Sequence, residues 1–442
     1  MEIRPWIEKN KAQLILDVCR LISIKSVSDS SRAFGGAPYG PGCQNALHAT
    51  LALAKQYGLL TAEHEGHCAS ILLPGKTNLE LGIFSHLDVV EEGSGWEITN
   101  PYSPLVKDGW IYGRGSADNK GPAIAALYAI RYLKENKISL HHTIRQFYGC
   151  DEENKMRDIE YYLSTHKAPE YSLVPDAAFP VCFGEKGRFT FTLKAPVSQD
   201  ILAVSGGEGK NSVPSHARIH LSSHPSPIAV DGRSAHAASP DQGENAIIKL
   251  SEFLLKHNML SEIDQPVFRF LSEALSDPYG SFFDLSMEDS YSGALTITAA
   301  YLEYKEHFIY LTLDLRYPVS SSADQIEEQI QKHSHSFGWD IIHTDHSPAL
   351  FRDPDSPVIR SLTAICQEVY QKDFTPYCMS GGTYARKLPH AVGYGPGLSF
   401  QQKPCRNGHG RGHQPDECVC IENLLNGVEI YVRALLMLDK EI

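Results

Sequence analysis

The chain has 442 residues, of which 42% are hydrophobic and 21% are charged, a composition typical of a water-soluble globular protein with about two or three domains. Its formal net charge of −13 argues against a nucleic-acid or anionic-membrane partner and favours a small charged or zwitterionic ligand. The charged N-terminus is unlike a signal peptide, and the ten cysteines are scattered without a Cys-x-x-Cys pair. We therefore expect a cytoplasmic protein with reduced thiols and no membrane partner.

The first part of the chain alternates predicted helices with short buried strands, and polar residues follow each strand directly. That alternation is typical of an α/β domain. Hydrophobic spacing predicts helices over 5–25, 44–57, 121–135 and 158–164, strands over 69–73, 81–85 and 143–149, and a further short strand before Asp176.

The character of the chain changes near Gly184 and changes back after Pro354. The middle part is rich in strand patterns and predicts an α+β domain inserted into the α/β domain. Its predicted strands are 189–193, 217–221, 294–302 and 308–317, and its predicted helices are 244–257 and 323–335. The last part predicts helices over 357–370 and 421–438 and a strand over 391–394. We expect an α/β domain of mixed sheet flanked by helices over 1–186 and 350–442, and the inserted domain over 187–349.

The stretch Gly113-Arg-Gly-Ser-Ala-Asp-Asn-Lys-Gly-Pro122 holds a single carboxylate, Asp118, just before a predicted helix. Its glycines permit a tight turn, and the first amides of a helix favour negative charge. Such a carboxylate is well placed to bridge two cations. Taken alone, it also fits an ordinary helix-capping aspartate.

Acid and imidazole groups follow two other predicted strands. His86 and Asp88 are two residues apart on an extended segment, so they face the same way, and such an aspartate can orient an imidazole. Glu152 and Glu153 are adjacent and point in different directions. One of them can bind a metal while the other reaches a water molecule.

Two more candidates complete the set. Asp176 follows Pro175, and His413 begins His-x-x-Asp-Glu ahead of the last predicted helix. Two imidazoles and three carboxylates without a thiolate suit Zn²⁺, Mn²⁺ or Co²⁺, and a bridging carboxylate implies two ions ~3.5–4 Å apart. Each residue alone also fits a salt bridge or a helix cap, but the whole set favours a metal site.

These motifs resemble those of the co-catalytic dinuclear zinc peptidases, a family that includes aminoacylases, a glutamate carboxypeptidase and dipeptidases. The resemblance runs from about residue 5 to residue 437. The Asp118-Asn-Lys-Gly-Pro form and the Ser380-Gly-Gly-Thr-Tyr-Ala-Arg386 segment are similar to the dipeptidase branch. The motifs that carry it are His86-x-Asp88, Gly113 to Pro122, Asp151-Glu152-Glu153, Pro175-Asp176 and Glu185-Lys-Gly187.

The resemblance assigns a role to each candidate. One carboxylate would bridge two zinc ions, one pair of residues would complete each ion's ligands, and a glutamate would be the general base. Asp118 would be the bridging carboxylate. His86 and Asp176 would complete the ligands of one ion, and Glu153 and His413 those of the other. Glu152 would be the general base, and Asp88 would support His86.

Two details follow from the same resemblance. The peptide bond between Asp118 and Asn119 is expected to be cis. The segment His409-Gly-Arg-Gly-His413 offers two histidines, and we assign His413 because Asp-Glu follows it at the family's spacing.

The inserted domain would be the family's lid. His236, in Ser-Ala-His-Ala-Ala-Ser-Pro, would donate to the oxyanion, and Asn211 and Arg316 would contact the substrate. Arg386 is a further candidate for the substrate carboxylate, because a guanidinium binds a carboxylate in a fork.

The resemblance implies hydrolysis of dipeptides with two Zn²⁺ per subunit, which Mn²⁺ or Co²⁺ could replace. Partners would be small peptide substrates, without nucleic acid or membrane, and the protein would be a monomer or homodimer. The alternative enzyme is an N-acyl amino acid amidohydrolase with the same metals. A third possibility is a catalytically inactive binding protein, which the complete ligand set disfavours.

Overall fold

The computed structural model describes residues 2–207, 209 and 212–442, and the chain divides into two units. The first unit comprises Met1–Phe183, Arg352–Tyr377 and Gly382–Ile442, and the second comprises Gly184–Phe351 and Cys378–Gly381. Among the described residues, no helix combines the length and the apolar character that crossing a membrane requires.

The elements are listed here in chain order. The helices are α1 (Ile3–Ile22), α2 (Pro41–Gln56), α3 (Lys120–Glu135), α4 (Arg157–Thr165), α5 (Ala246–Lys256), α6 (Gln265–Arg269), α7 (Ala323–Ser336), α8 (Pro357–Tyr370) and α9 (Ile421–Glu441). The strands are β1 (Leu60–His64), β2 (Cys68–Leu73), β3 (Glu80–His86), β4 (Leu105–Lys107), β5 (Trp110–Tyr112), β6 (Thr143–Gly149), β7 (Tyr171–Val174), β8 (Ala177–Ala178), β9 (Cys182–Glu185), β10 (Gly187–Pro196), β11 (Ile201–Gly206), β12 (His216–Leu221), β13 (Ile228–Asp231), β14 (Glu288–Asp289), β15 (Gly293–Ala294), β16 (Thr296–Lys305), β17 (Phe308–Tyr317), β18 (Asp340–Ser347), β19 (Leu350–Phe351), β20 (Tyr377–Met379), β21 (Ala391–Gly393), β22 (Pro396–Gly397) and β23 (Cys418–Cys420).

The first unit is built on a mixed sheet in which the strands follow the order β1-β2-β6-β3-β7-β21-β9. The strands from β6 to β21 run parallel to one another, and β1, β2 and β9 pair antiparallel. Strand β6 is buried along its whole length and β3 almost so, as expected where helices cover both faces of a parallel sheet. The predicted α/β fold, a mixed sheet flanked by helices, is confirmed.

Helix α3 lies at the centre of the first unit. It packs against α1, α9, β3 and β6, and nearly all of its residues are buried. Because α3 begins at Lys120, the turn that carries Asp118 lies directly at its N-terminus.

Parallel pairing brings the ends of three strands together. In the pairing of β3 with β6, His86 lies opposite Gly149, and β7 pairs with β3 on the other side. The residues that follow these strands therefore emerge at one edge of the sheet, where α/β proteins place their ligands. Glu152 and Glu153 come three and four residues after Gly149, and Asp176 follows β7.

The second unit contains an antiparallel sheet with the strand order β13-β12-β11-β16-β17-β10-β18. Along β10 the buried residues alternate with half-buried ones, so one face of the sheet is turned toward a core. Helices α5, α6 and α7 contribute Leu250, Phe268 and Ile330 to that core.

Strand β18 is one of the strands that the sequence did not predict. Strand β18 is mainly polar and lies at the edge of its sheet, where hydrophobic alternation is not required.

The segment Cys378–Gly381 was expected in the first domain but belongs to the second unit. The reason is local, because Lys186 N–H donates to Met379 and the Arg316 guanidinium donates to the Ser380 carbonyl.

Candidate metal centre and active site

One group of possible metal ligands lies where β3 and β7 end. His86 Nε2 is 3.0 Å from Asp118 Oδ1 and 3.7 Å from Asp176 Oδ2. These three side chains, one imidazole and two carboxylates, are close enough to hold a single ion. Asn119 joins two of the segments, because its amide donates to Asp176 Oδ1 over 3.2 Å.

A second group shares the same aspartate. His413 Nε2 is 3.2 Å from Asp118 Oδ2 and 2.9 Å from Glu153 Oε2. One oxygen of Asp118 therefore faces each imidazole, which is the arrangement of a carboxylate that bridges two ions.

The backbone near Asp118 is shaped for close approach. The peptide bond between Asp118 and Asn119 is cis, as predicted. A Cβ atom at Gly412 would lie 2.9 Å from Asp118 Oδ2, so a side chain at that position would force the carboxylate to move. His413 itself has a φ of 65°, an uncommon value for a residue with a side chain.

Asp88 connects the two groups. Its backbone carbonyl accepts a hydrogen bond from His86 Nδ1 over 3.0 Å, which leaves Nε2 directed at Asp118 and Asp176. Its carboxylate Oδ2 accepts from the backbone N–H of Glu153, also over 3.0 Å. Asp88 is fully buried and thus orients one residue of each group.

The turn that carries Glu152 and Glu153 is held by two residues that the sequence analysis missed. The Asp158 carboxylate accepts from the backbone N–H groups of Cys150 and Asp151 and from the Tyr384 hydroxyl. A Cβ at Gly149 would lie 1.9 Å from that hydroxyl, so this strand end must be glycine. Tyr384 lies within the Ser380 to Arg386 motif, which was the only sequence signal for it.

Several carboxylates are buried together, and this changes their pKa values. Burial, and then the charge of Asp118, raises the pKa of Glu153 to about 7. Burial also raises the pKa of Glu152, and the neighbouring Asp176 and Glu153 carboxylates act in the same direction. Burial disfavours the ionised form of Asp118 as well, but the nearby imidazoles of His413 and His86 outweigh it and lower its pKa.

The two imidazoles respond in the opposite sense. Burial alone would lower the pKa of His413, but Asp118 and Glu153 outweigh burial and raise it to about 11. The pKa of His86 is likewise raised by Asp118, Asp176 and Asp88 against the effect of burial. In the metal-free protein these two side chains carry protons where cations would otherwise balance the carboxylates.

The donor set fits a pair of divalent cations. Each group offers one imidazole nitrogen and carboxylate oxygens, the ligands that suit Zn²⁺, Mn²⁺ and Co²⁺. Among the described residues, neither His86 Nε2 nor Glu152 Oε1 makes a hydrogen bond of acceptable geometry, although both atoms are buried. Such orphan atoms are expected where an ion or a water molecule belongs.

The two histidines of the 409–413 segment have different surroundings. His409 Nδ1 is 2.7 Å from Asp416 Oδ2, and this pair lies with Glu97 in a group apart from the two that share Asp118. His413 is therefore the histidine that reaches the candidate metal centre.

The remaining candidates lie elsewhere. In the second unit, His236 is exposed, and its Nδ1 accepts the Ala238 N–H over 3.1 Å. Arg316, in the same unit, is buried and donates to the Asp314 carboxylate and to the Ser380 carbonyl. Arg386, in the first unit, places its guanidinium where a Cβ of Gly382 would stand. Asn211 lies outside the described residues. No contact of Arg316 or Arg386 described above involves a substrate, so the substrate roles of all three residues stay predictions.

We predict that metal binding releases protons. Because the pKa of His413 is raised to about 11, this side chain is protonated at pH 7 and must lose its proton to bind an ion. Zinc titration by calorimetry at pH 7, in two buffers with different ionisation enthalpies, should show proton release, and the apparent affinity should rise with pH.

The matched pair of variants is His413→Ala and His409→Ala. The first should release at least one proton fewer than the parent protein, and the second should behave like the parent. Equal heats in the two buffers for the parent protein would contradict the prediction.

The chain resembles known proteins in sequence and in fold. The chain is 29% identical, over 98% of its own length and 99% of the relative's, to a protein of Staphylococcus aureus (strain MW2) named "Putative dipeptidase MW1694". Its fold is similar to that of human carnosine dipeptidase 1, with a TM-score of 0.61, 13% identity and coverage of 99% of both chains. It is also similar to the di-peptidase Dug1p from Saccharomyces cerevisiae, with a TM-score of 0.63, 12% identity and coverage of 99% and 98%. Residues 82–437 match peptidase family M20/M25/M40, and the chain belongs to that metal-dependent family of peptidases.

Proposed function

We propose that the protein is a dinuclear zinc dipeptidase that hydrolyses the peptide bond of unblocked dipeptides. The observation that carries the proposal is the pair of ligand groups that share Asp118, with the buried Glu152 carboxylate beside them. The dipeptidase names of its relatives support the substrate class.

Two ions are proposed because Asp118 presents a separate oxygen to each histidine. His86 and Asp176 would hold one Zn²⁺, and Glu153 and His413 would hold the other. Mn²⁺ or Co²⁺ could replace zinc at both positions. When bound, such a pair lowers the pKa of water at the site toward neutrality and polarises the scissile carbonyl.

Glu152 is proposed as the general base. Its Oε1 atom is buried and makes no hydrogen bond with the described residues, so it is available to accept a proton from the attacking water. Glu152 would then return the proton to the leaving amine. Burial raises its pKa, and a strongly perturbed carboxyl among candidate metal ligands is a candidate for acid–base chemistry.

The tautomer of His236 supports a role as hydrogen-bond donor. Because Nδ1 accepts the Ala238 N–H, the proton of a neutral imidazole lies on Nε2. We propose that this N–H stabilises the oxyanion that forms as the carbonyl is attacked.

The alternative function is an N-acyl amino acid amidohydrolase, which would use the same metals and base. The two differ at the amino end of the substrate. Buried carboxylates around the metal centre favour a free ammonium group on the substrate. An N-acylated substrate has no such positive charge and would not be attracted in this way. At the other end, Arg316 and Arg386 are the candidates for binding the carboxylate.

The first test separates the base from the ligands. Glu152→Gln should keep both ions and lose ~10²–10⁴-fold in kcat, because a positioned base is removed. Its neighbour provides the control, since Glu153→Gln should lose an ion together with activity. Metal analysis and kinetics on the same samples decide the matter, and an active Glu152→Gln enzyme would remove Glu152 from the role of base.

The second test concerns the substrate. We expect kcat/KM to be highest for a free dipeptide and lower for its N-acetylated form and for the matching tripeptide. The same enzyme preparation should be assayed with all three compounds. Preference for the acetylated form would favour the amidohydrolase, and equal cleavage of the tripeptide would reject a site limited to two residues.

The third test concerns His236. His236→Ala should lower kcat by ~10²–10³-fold without loss of metal, because this residue lies in a different unit from the ligands. His216→Ala is the control, since His216 is another exposed histidine of the second unit and pairs with Asp231. A fall in metal content in His236→Ala would count against the oxyanion role.

A further inference from the structure

Glu417 is a fully buried carboxylate that belongs to neither ligand group. Its Oε1 atom accepts hydrogen bonds from the backbone N–H groups of Gly115, Ala117 and Asp118 over 3.1, 2.9 and 3.0 Å. Its Oε2 atom accepts from Arg114 Nη1 over 2.7 Å. These bonds of the side chain therefore all go to the turn that carries the shared aspartate.

We propose that Glu417 is a positioning residue that fixes Asp118 so that one carboxylate can serve both ions. The inference rests on the proposed dinuclear site. It assigns to Glu417 no contact with substrate or metal, and its effect passes through the backbone of the Asp118 turn.

The geometry of the turn requires an anchor of this kind. Three N–H groups within four residues converge on one oxygen, and a buried N–H without an acceptor is costly. An ionised carboxylate accepts without donating and makes stronger hydrogen bonds to N–H groups than a neutral acceptor does. Because the Asp118 N–H is one of the three, a shift of Glu417 moves the bridging residue directly.

Glu417 also ties the His413 segment to the same turn. It follows His413 by four residues, and its backbone carbonyl accepts the Gly113 N–H over 2.9 Å. The preceding residue, Asp416, accepts from the backbone N–H groups of Glu97 and Ile98. The residues that follow His413 are thus joined both to the Asp118 turn and to residues 97–98.

Arg114 balances the charge of Glu417 and is itself immobilised. Its guanidinium is 1% exposed, lies over the Trp96 ring and donates to the backbone carbonyl of Gln414. A glutamine at position 417 would keep one acceptor oxygen but would add an N–H₂ group. Either Arg114 or the turn amides would then face a donor in place of an acceptor.

The test is the affinity of the protein for zinc, measured for both ions by competition with a chromophoric chelator. Glu417→Gln and Glu417→Asp should each bind both ions ~10–100-fold more weakly than the parent, as expected when a residue that orients ligands is changed. The absorption bands of the Co²⁺-loaded variants should also differ from those of the parent protein. Aspartate keeps the charge but is one methylene shorter, so its loss of affinity would separate positioning from charge balance.

Glu80→Gln is the matched control. Glu80 also pairs with an arginine, Arg145, but it stands at the start of β3, at the opposite end from His86, and its variant should bind zinc like the parent. Parent-like affinity in both Glu417 variants would overturn the inference, and so would failure of both to fold. If the parent protein itself bound no pair of ions, the proposed function would fall instead.

Discussion

The arrangement of the site depends on the two oxygens of one carboxylate. Oδ1 of Asp118 faces His86, and Oδ2 faces His413, so the spacing of the two ligand groups is set by the width of a single carboxylate. The residues around it come from separate parts of the chain. Small displacements of the backbone turn that carries Asp118 therefore act on both ligand groups at once, and the two groups cannot be adjusted independently.

The site also concentrates negative charge where water is scarce. Asp88 is fully buried and Glu152 nearly so, and burying charges without partners is unfavourable. The protein meets this constraint in two ways. Backbone N–H groups donate to two buried carboxylates near the site, Asp158 and Glu417, while His86 and His413 supply positive charge to the candidate ligand carboxylates.

The candidate ligands could be recognised in the sequence because each one stands beside a local signal. His86 follows a hydrophobic strand, and Asp118 lies in a glycine-rich turn before a helix. The parallel pairing of β3, β6 and β7 then brings the segments that carry His86, Glu153 and Asp176 to one edge of the sheet. Parallel pairing of this kind follows from the α/β alternation, so the proximity of an imidazole to several carboxylates could be expected before the structure was known.

The residues that orient the ligands were not predictable in the same way. Asp158 and Tyr384 are 226 residues apart, and their contact depends on the tertiary fold and on the absence of a side chain at Gly149. Strand β18 escaped notice because its polar sequence lacks the alternation of a half-buried strand. Local patterns report what a residue is near in the chain, whereas these contacts are set by topology.

The place of β21 in the sheet has a consequence for synthesis on the ribosome. This strand lies between β7 and β9 although more than 200 residues separate it from them in the chain. Until residues 391–393 have emerged, β7 and β9 have no strand between them, and their open edges are exposed to pairing with other chains. The strand that joins β7 to β9 is therefore absent while more than 200 residues are added to the nascent chain, and His413 emerges only after that strand.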